Sequence, residues 1–533
     1  MTGSVGPRWD AIVVGSGPNG LVAANHLADK GWSVLLLEAE PEIGGAVHSS
    51  RELDPDFVHD TFSAFYPLAV ASPAIRSLDL EQHGLRWTHA PAVVGHPLPE
   101  GGWSILSRDL DVTADGFDAL SPGDGDAWRA LAASWEHVGE QLLGAMLTPF
   151  PPVRHGLGTL AKLPGAGGLD FLRTLVTPVD ELGRQHFSGP APRLLLAGNA
   201  AHADIPTNAT GSGLMGLLMA MLGQTVGFPV PVGGAGELAG ALGRRFRALG
   251  GQVRCGARVE RIEVSGGRAS AVRLDDGEVI EVRRAVVADV SAYHLYGGLI
   301  DPADLPARTR RAMGAFELDP GTVKVDWALD GPVPWADPPP VAPGTVHVAD
   351  SLEELSRTYT QLTSGAVPDR PFLIAGQMTT TDATRSPAGT ESMWAYSHVP
   401  QQTRRDAGDG SVRGTWDEDD RERYADRMQQ RLEALAPGFS SRIRVRRVLG
   451  PRELEGRNAN LVGGAINGGT AQLHQELVFR PIPGLGRAET PVRGVYLGSA
   501  SAHPGGGVHG AAGMNAARAA LFHERLGHLV RRR

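Results

Sequence analysis

Short continuous apolar runs alternate along the chain with longer periodic segments, and that pattern predicts its elements. Ala11–Val14 and Val34–Leu37 are four-residue apolar runs, as expected of strands buried on both faces of a parallel sheet. Between them Pro18–Lys30 has the apolar period of a helix. Helical spacing recurs in Ala127–Leu147, Leu214–Gly223, Glu237–Leu249, Asp417–Ala436 (closed by Pro437-Gly438) and Val508–Leu526. Two-residue alternation over Gly251–Val259, Ile262–Val264, Ala271–Leu274 and Val279–Val282 predicts short antiparallel strands leading into the buried run Ala285–Ala288. Thr322–Leu329 alternates again, and Val492–Leu497 predicts a last strand. Ser72–Leu182 is otherwise loop-rich, and Gly331–Asp409, rich in proline and threonine, carries no assignable period.

The opening strand–helix–strand also carries glycines at chemically meaningful places. Gly15 allows the tight turn after the first strand, Gly17 lets backbone approach a diphosphate, and Gly20 permits close helix–strand packing. Pro18 and Asn19 complete the turn, so that a phosphate would sit on free amides at a helix start. Glu38 ends the second strand, placed to accept hydrogen bonds from two ribose hydroxyls, with Ala39 beside it. An acid there disfavours a 2′-phosphate, which counts against NADP. No second such turn follows a strand, so a dedicated nicotinamide domain is not expected.

Composition narrows the picture. At 533 residues, with 42% hydrophobic and 20% charged residues, the chain has room for more than one lobe and reads as an ordinary globular protein. Leu214–Leu222 is less than half the roughly 20 residues of a membrane span, and Met1–Pro7 lacks the pattern of a secretion signal; a cytoplasmic protein is expected. The net charge is −9, and an unbroken block of three arginines or lysines occurs only at Arg531–Arg533, so nucleic acid is an unexpected partner. The single cysteine, Cys255, excludes disulfide chemistry within one chain and thiolate zinc sites, and is read as a small buried apolar residue.

Beyond the first turn, Gly44-Gly45 with Ser49 and Ser50 is similar to the long FAD fingerprint of glutathione-reductase-type flavoproteins. Gly250–Ile262 resembles the strand over the adenine in those proteins, with Val259 supplying the backbone contact. Gly494–Gly513 resembles their closing flavin motif, and there the helix beginning near Val508 would aim its positive end at reduced flavin. Asp10–Ser50, Leu461–Arg480 and His503–Gly510 together resemble the phytoene-desaturase-like flavoproteins of the amine-oxidase superfamily, and within them the group named for a pyridine nucleotide-disulfide oxidoreductase domain. The resemblance implies an α/β fold: a Rossmann-type, glutathione-reductase-like FAD-binding lobe (8–70, 236–295 and 485–533) with an inserted α+β substrate lobe (71–235 and 296–484). It implies FAD as cofactor, with Gly44, Gly45 and Ala46 near the diphosphate and Gly498, Ser499, Gly507, Val508 and Ala511 near the ring. Ala46 departs from the arginine of many relatives.

The same resemblance implies removal of hydride from carbon of an apolar, isoprenoid- or carotenoid-like substrate, by a desaturase, ketolase or isomerase, with peripheral membrane contact following from such a substrate. Oxygen or a quinone could serve as electron acceptor. Lys324 is the first catalytic candidate. Alternation places Val323, Val325, Trp327 and Leu329 on one face and Lys324 with Asp326 on the other, either as a lysine near the flavin or as an ion pair on a wet sheet face. His503 and His509 flank the ring glycines and are candidates for contact with the ring, without metal-site spacing. His202 and Asp204 are read as a turn, or alternatively as lining of the substrate lobe. The rival functions are a flavin amine oxidase, weakened by the lack of an aromatic residue in Ser499–Pro504, and a non-catalytic regulatory flavoprotein.

Overall fold

The structure, a computed structural model, describes residues 8–531; the opening segment 1–7 and residues 532–533 of the basic terminus lie outside the described residues. Trp9–Val14 (β1), with all six side chains buried, runs through the glycine turn into Pro18–Asp29 (α1) and returns as Val34–Leu37 (β2). β1 pairs in parallel with β2, Ala11 opposite Val34, and on its other edge with Val279–Ala288, Ala11 opposite Ala285. Gln252–Arg254 adds in parallel outside β2, and Val495–Leu497 outside Val279–Ala288. Five parallel strands therefore end together at Val14, Leu37, Arg254, Ala288 and Leu497.

Two expected strands are in fact one. Val279–Ala288 is continuous: its first half pairs antiparallel with Arg268–Leu274, which pairs with Val259–Ser265, and its second half joins the parallel sheet. Conversely, Gly251–Val259 is not one antiparallel strand. Gln252–Arg254 runs parallel to β2, and the chain then follows the exit of β2, Gly256 N–H bonding Glu40 O and Ala257 N–H bonding Glu38 O, before Val259 opens the meander. Cys255 in that bend is half-buried rather than buried, and burial raises its thiol pKa. One face of the sheet is covered by α1, Gly236–Ala248 and Ala511–Arg531 around Leu21, Leu242 and Met514; the other packs Ile12, Leu35 and Val286 against Val272 and Tyr296.

A second seven-stranded sheet has the order 443–449, 321–329, 391–399, 373–377, 343–348, 92–97, 103–106. It is antiparallel except between 343–348 and 92–97. Three of its strands come from Gly331–Asp409 and two from Ser72–Leu182, where the sequence shows no period. Pro343–Val348, Leu373–Gln377, Ala92–Pro97 and Trp103–Leu106 are buried at every residue, so both faces are covered and alternation is erased. Gly321–Leu329 does alternate. Val323, Val325, Trp327 and Leu329 pack against Tyr424, Met428 and Leu432 of Glu418–Leu435, the helix that Asp417 caps by accepting from Asp420 N–H. The opposite face of the sheet, at Val94, Leu106, Ile374 and Trp394, is covered by the core of Asp124–Leu147, Pro190–His202 and Ser212–Thr225, built on Trp128, Leu195, Leu217 and Met221.

Buried charge joins the short hairpin of Ser49–Ser50 and His59–Asp60 to the loop after the strand 373–377. Arg385, fully buried, donates to Asp60 Oδ2 and to Asp382 Oδ2, each at 2.9 Å, while Asp60 also accepts from Ser49 Oγ and Ala235 N–H. Among the described residues no helix is long and apolar enough to cross a membrane.

Candidate active site

The carboxyl ends of the parallel strands open onto one cavity of about 1590 Å3, the place where open α/β sheets bind ligands. At one end lies the β1–α1 turn. Gly15 has φ +94°, and a Cβ there would stand 2.6 Å from Asp289 O, so glycine is required twice over. Gly17, at the N-cap, has no side chain to offer the helix that starts at Pro18; Asp289 takes only the Gly20 N–H, and the buried Asn19 Oδ1 has no partner. A helix start with no cap from its own N-cap residue, beside an open cavity, is chemically suited to an anion such as a diphosphate.

Glu38 lies at the tip of β2. Its Oε2 accepts from Ser16 N–H at 2.8 Å and Ser16 Oγ at 2.5 Å, and its Oε1 accepts from Glu40 N–H at 2.9 Å. Oε1 retains a lone pair for a ribose hydroxyl, while Ser16 occupies Oε2 with both of its donors and holds the carboxylate in place. Of the predicted cofactor residues, Gly15, Gly17, Pro18, Asn19, Glu38, Ala39, Gly45, Ala46, Val259, Ser499, Gly507 and Val508 line the cavity; Gly20, Gly44, Gly498 and Ala511 stand just behind it. Gly20 N–H is bonded to Asp289 Oδ2 at 2.8 Å.

The first and last helices meet here. A Cβ on Gly513 would fall 1.9 Å from Asn19 O, so only glycine lets the two backbones approach this closely. Arg480, with no exposed surface, staples the loops that flank the last turn: it donates to Ala500 O, Asn467 O and Thr470 O at 2.7, 2.8 and 2.9 Å, and to Glu476 Oε1 at 2.7 Å. Burial raises the Glu476 carboxyl to about 7 even though Arg480 opposes the shift.

Lys324 lines the cavity but does not stand on a wet sheet face, because the buried segment His59–Asp60 and Arg447 lie against that face and only 3% of the residue is exposed. Its Nζ donates to Asp60 O at 3.0 Å and to Asp326, whose other oxygen accepts from Arg447 at 2.8 Å. Burial lowers the Lys324 pKa, against the pull of Asp326. Across the strand pair it faces Tyr396. His503 also lines the cavity. A carbonyl only accepts, so the His503 Nε2–H must donate to Thr148 O at 2.8 Å, and burial keeps the ring neutral by lowering its pKa.

His509 is a correction. It is off the cavity wall, and its Nδ1 accepts from Ala511 N–H at 3.0 Å, so the ring caps the final helix instead of facing a cofactor. The helix accordingly begins at Ala511, three residues later than its apolar period suggests. His202 ends the helix Pro190–His202 and lines the cavity, while Asp204, at φ +59°, bonds His398 and Asn467.

Sequence reasoning missed Asp289, Asn460, Trp394 and Tyr396. Asp289 follows the last residue of a buried strand, and burial raises its carboxyl to about 7 although Gly20 N–H opposes this. An acid directly after an apolar strand was the available signal. Asn460 bridges Asp289 O and Ser291 N–H. Trp394 and Tyr396 stack at 5.9 Å on the cavity wall; they come from the region without a period, where nothing local marked them.

Comparison with known proteins agrees with this geometry. Residues 13–78 match the model of an NAD(P)-binding Rossmann-like domain, and residues 164–386 that of flavin containing amine oxidoreductases. The chain is a FAD-dependent oxidoreductase, similar to the phytoene-desaturase-like flavoproteins of the amine-oxidase superfamily. It is 29% identical to pyridine nucleotide-disulfide oxidoreductase domain-containing protein 2 of Mus musculus, covering 97% of this chain and 94% of that protein. It is 24% identical to the neurosporene-forming phytoene desaturase of Rhodobacter capsulatus, covering 93% and 91%. In fold it is similar to the crystal structure of an oxidoreductase from Methanosarcina mazei, with a TM-score of 0.63 at 14% identity over 96% of this chain and 99% of that one.

Proposed function

We propose that the enzyme removes hydride from a carbon of an apolar, isoprenoid- or carotenoid-like substrate, as a desaturase, ketolase or isomerase, and passes electrons on to oxygen or a quinone. The observation that carries this reading is the continuity of one cavity from the Gly15 turn to a chamber walled by Met146, Ile205, Leu214, Met215 and Met219. At about 1590 Å3 the cavity exceeds the roughly 300–1,000 Å3 that a single small ligand fills, which leaves space for a substrate beside a dinucleotide. The likeness to a phytoene desaturase supports the same substrate class.

Bound FAD supplies the hydride acceptor. Gly15, Gly17, Pro18, Asn19, Gly20, Gly44, Gly45 and Ala46 would hold its diphosphate side, Glu38, Ala39 and Val259 its adenosine side, and Gly498, Ser499, Gly507, Val508 and Ala511 its ring side. The chamber's methionines and leucines exclude water and orient the reacting carbon. Lys324 Nζ, desolvated and anchored by Asp326, can hold a proton next to that space. In this reading 8–70, 236–295 and 485–533 form the FAD-binding lobe, glutathione-reductase-like in plan, and 71–235 with 296–484 form an inserted substrate lobe. The strands of the first sheet all fall in the first set and those of the second sheet in the second.

The reading includes peripheral contact with a membrane. Val153, Leu157 and Leu160 of the helix Val153–Lys162, and Leu169 and Val176 of the helix Leu169–Val176, are 54–80% exposed beside Arg154, Lys162 and Arg173. An apolar face with basic neighbours suits an anionic lipid surface. The second of these helices packs on Ser212–Thr225, which carries the chamber residues Leu214 and Met215.

The test is anaerobic titration of the holoenzyme with apolar hydride donors and with amines, following the flavin absorbance. Bleaching by an isoprenoid donor is expected; bleaching by amines alone would sink the reading. A flavin amine oxidase is the second reading, supported by the Trp394–Tyr396 pair, since aromatic faces hold ammonium groups. Lys324 Nζ, however, already lies 5.8 Å over the Trp394 ring and opposes a second cation there. Were the amine reading correct, Lys324→Met would lose reactivity of the reduced flavin with oxygen while amines still bleached it.

A further inference from the structure

We infer that the substrate carries a neutral oxygen, as a hydroxyl or carbonyl group, held between His202 and Tyr396; this rests on the apolar-substrate reading above and narrows it. His202 closes the helix Pro190–His202, whose end is pinned by Tyr359 Oη donating to Ala201 O at 2.7 Å. The ring is fixed edge-on against Phe228, His347 and Tyr396, with centroids 6.2, 5.4 and 6.3 Å away.

Its Nδ1 lies 3.3 Å from His347 Nε2, and one of the two must carry the proton. His347 is fully buried and its Nδ1 has no partner. If His202 donated, the His347 proton would have to sit on that Nδ1, stranding an N–H in apolar surroundings, which costs more than stranding a lone pair. His347 is therefore the donor, His202 Nδ1 the acceptor, and the remaining His202 proton is on Nε2. Among the described residues Nε2 has no partner, and His202 lines the chamber. Burial lowers the His202 pKa to about 4, so the group is a neutral donor near pH 7 and offers no charge to a carboxylate or phosphate.

Tyr396 lines the same chamber from the strand Glu391–Val399, and its hydroxyl also lacks a partner among the described residues. A fixed N–H donor and a hydroxyl that can donate or accept match one alcohol or ketone oxygen. A pure hydrocarbon would cover both without pairing either, and sites built to bond a polar group reject analogues that lack it.

The test compares farnesol with farnesene, a matched alcohol and hydrocarbon, on the FAD-loaded enzyme, by quenching of tryptophan fluorescence and perturbation of the flavin spectrum. Farnesol is expected to bind about tenfold tighter. His202→Phe should bring that ratio close to one by weakening farnesol alone. Tyr396→Phe, which keeps the ring and removes only the hydroxyl, should lower the ratio severalfold and stands in if His202→Phe does not fold, as judged by flavin content. Equal affinities in the wild type, or an unchanged ratio in the variants, would overturn the inference while leaving the apolar reading intact. Failure of both probes to bind would overturn the two together.

Discussion

At the scale of single residues the most consequential side chain is Asp289, buried beneath the glycine turn with Gly20 N–H on its Oδ2. Its carboxyl titrates at about 7 when folded, against roughly 3.9 in an unfolded chain. The folded state thus binds more protons between those values, and its stability falls as pH rises from about 4 to about 7. The shift corresponds to a few kcal/mol. Asp289→Asn keeps an oxygen for Gly20 N–H and removes the titration. Denaturant unfolding of flavin-free protein at pH 5 and pH 8 should show a smaller loss of stability for the variant than for the wild type. Glu476, Glu391 and Asp319 are also raised, to about 7, 7 and 6, by burial, so the difference between the two proteins isolates Asp289. An equal pH slope in both would refute the assignment. The histidines mark the limit of sequence reasoning at this scale. His503 and His509 are close on one loop, yet one faces the cavity and the other caps a helix, because side-chain direction is set by packing.

At the scale of elements, the meeting of α1 with Ala511–Arg531 governs whether the site forms. Gly513→Ala places a methyl against Asn19 O, and overpacking of this kind costs about 1–3 kcal/mol; purified protein should have less bound flavin, read from the absorbance ratio, and a lower thermal midpoint. Gly527→Ala in the same helix, where a Cβ meets nothing within 4 Å, should be neutral or stabilising by about 0.5–1 kcal/mol. The exposed apolar helix has its own test. Leu157→Asp with Leu160→Asp should leave the thermal midpoint unchanged and reduce co-sedimentation with vesicles of mixed neutral and anionic phospholipid severalfold, whereas undiminished binding would exclude this face as the docking site.

For the whole molecule, the join between the hairpin at Asp60 and the loop at Asp382 depends on Arg385, which both share with no solvent access. Removing one partner of a buried pair costs about 3–5 kcal/mol, so Arg385→Ala should lower the first thermal transition by calorimetry. Arg385→Lys should not restore it, since an ammonium cannot reproduce two fork-shaped contacts. A thermal transition unaffected by Arg385→Ala would mean that the network does not hold these segments together.

The sequence by itself determined the nucleotide end of the site. Glycine spacing, the apolar runs Ala11–Val14 and Val34–Leu37 and the acid Glu38 are local features, and a turn, a helix start and two buried strands follow from them without reference to the rest of the chain. The alternation of Gly321–Leu329 likewise put Lys324 and Asp326 on one face. Only the tertiary structure decided that this face is dry, that Gln252–Arg254 joins β2, and that His202 and Tyr396 look into one chamber. Strands buried on both sides lose their period, and contacts between residues far apart in sequence are selected by packing of the whole chain, which no local pattern records.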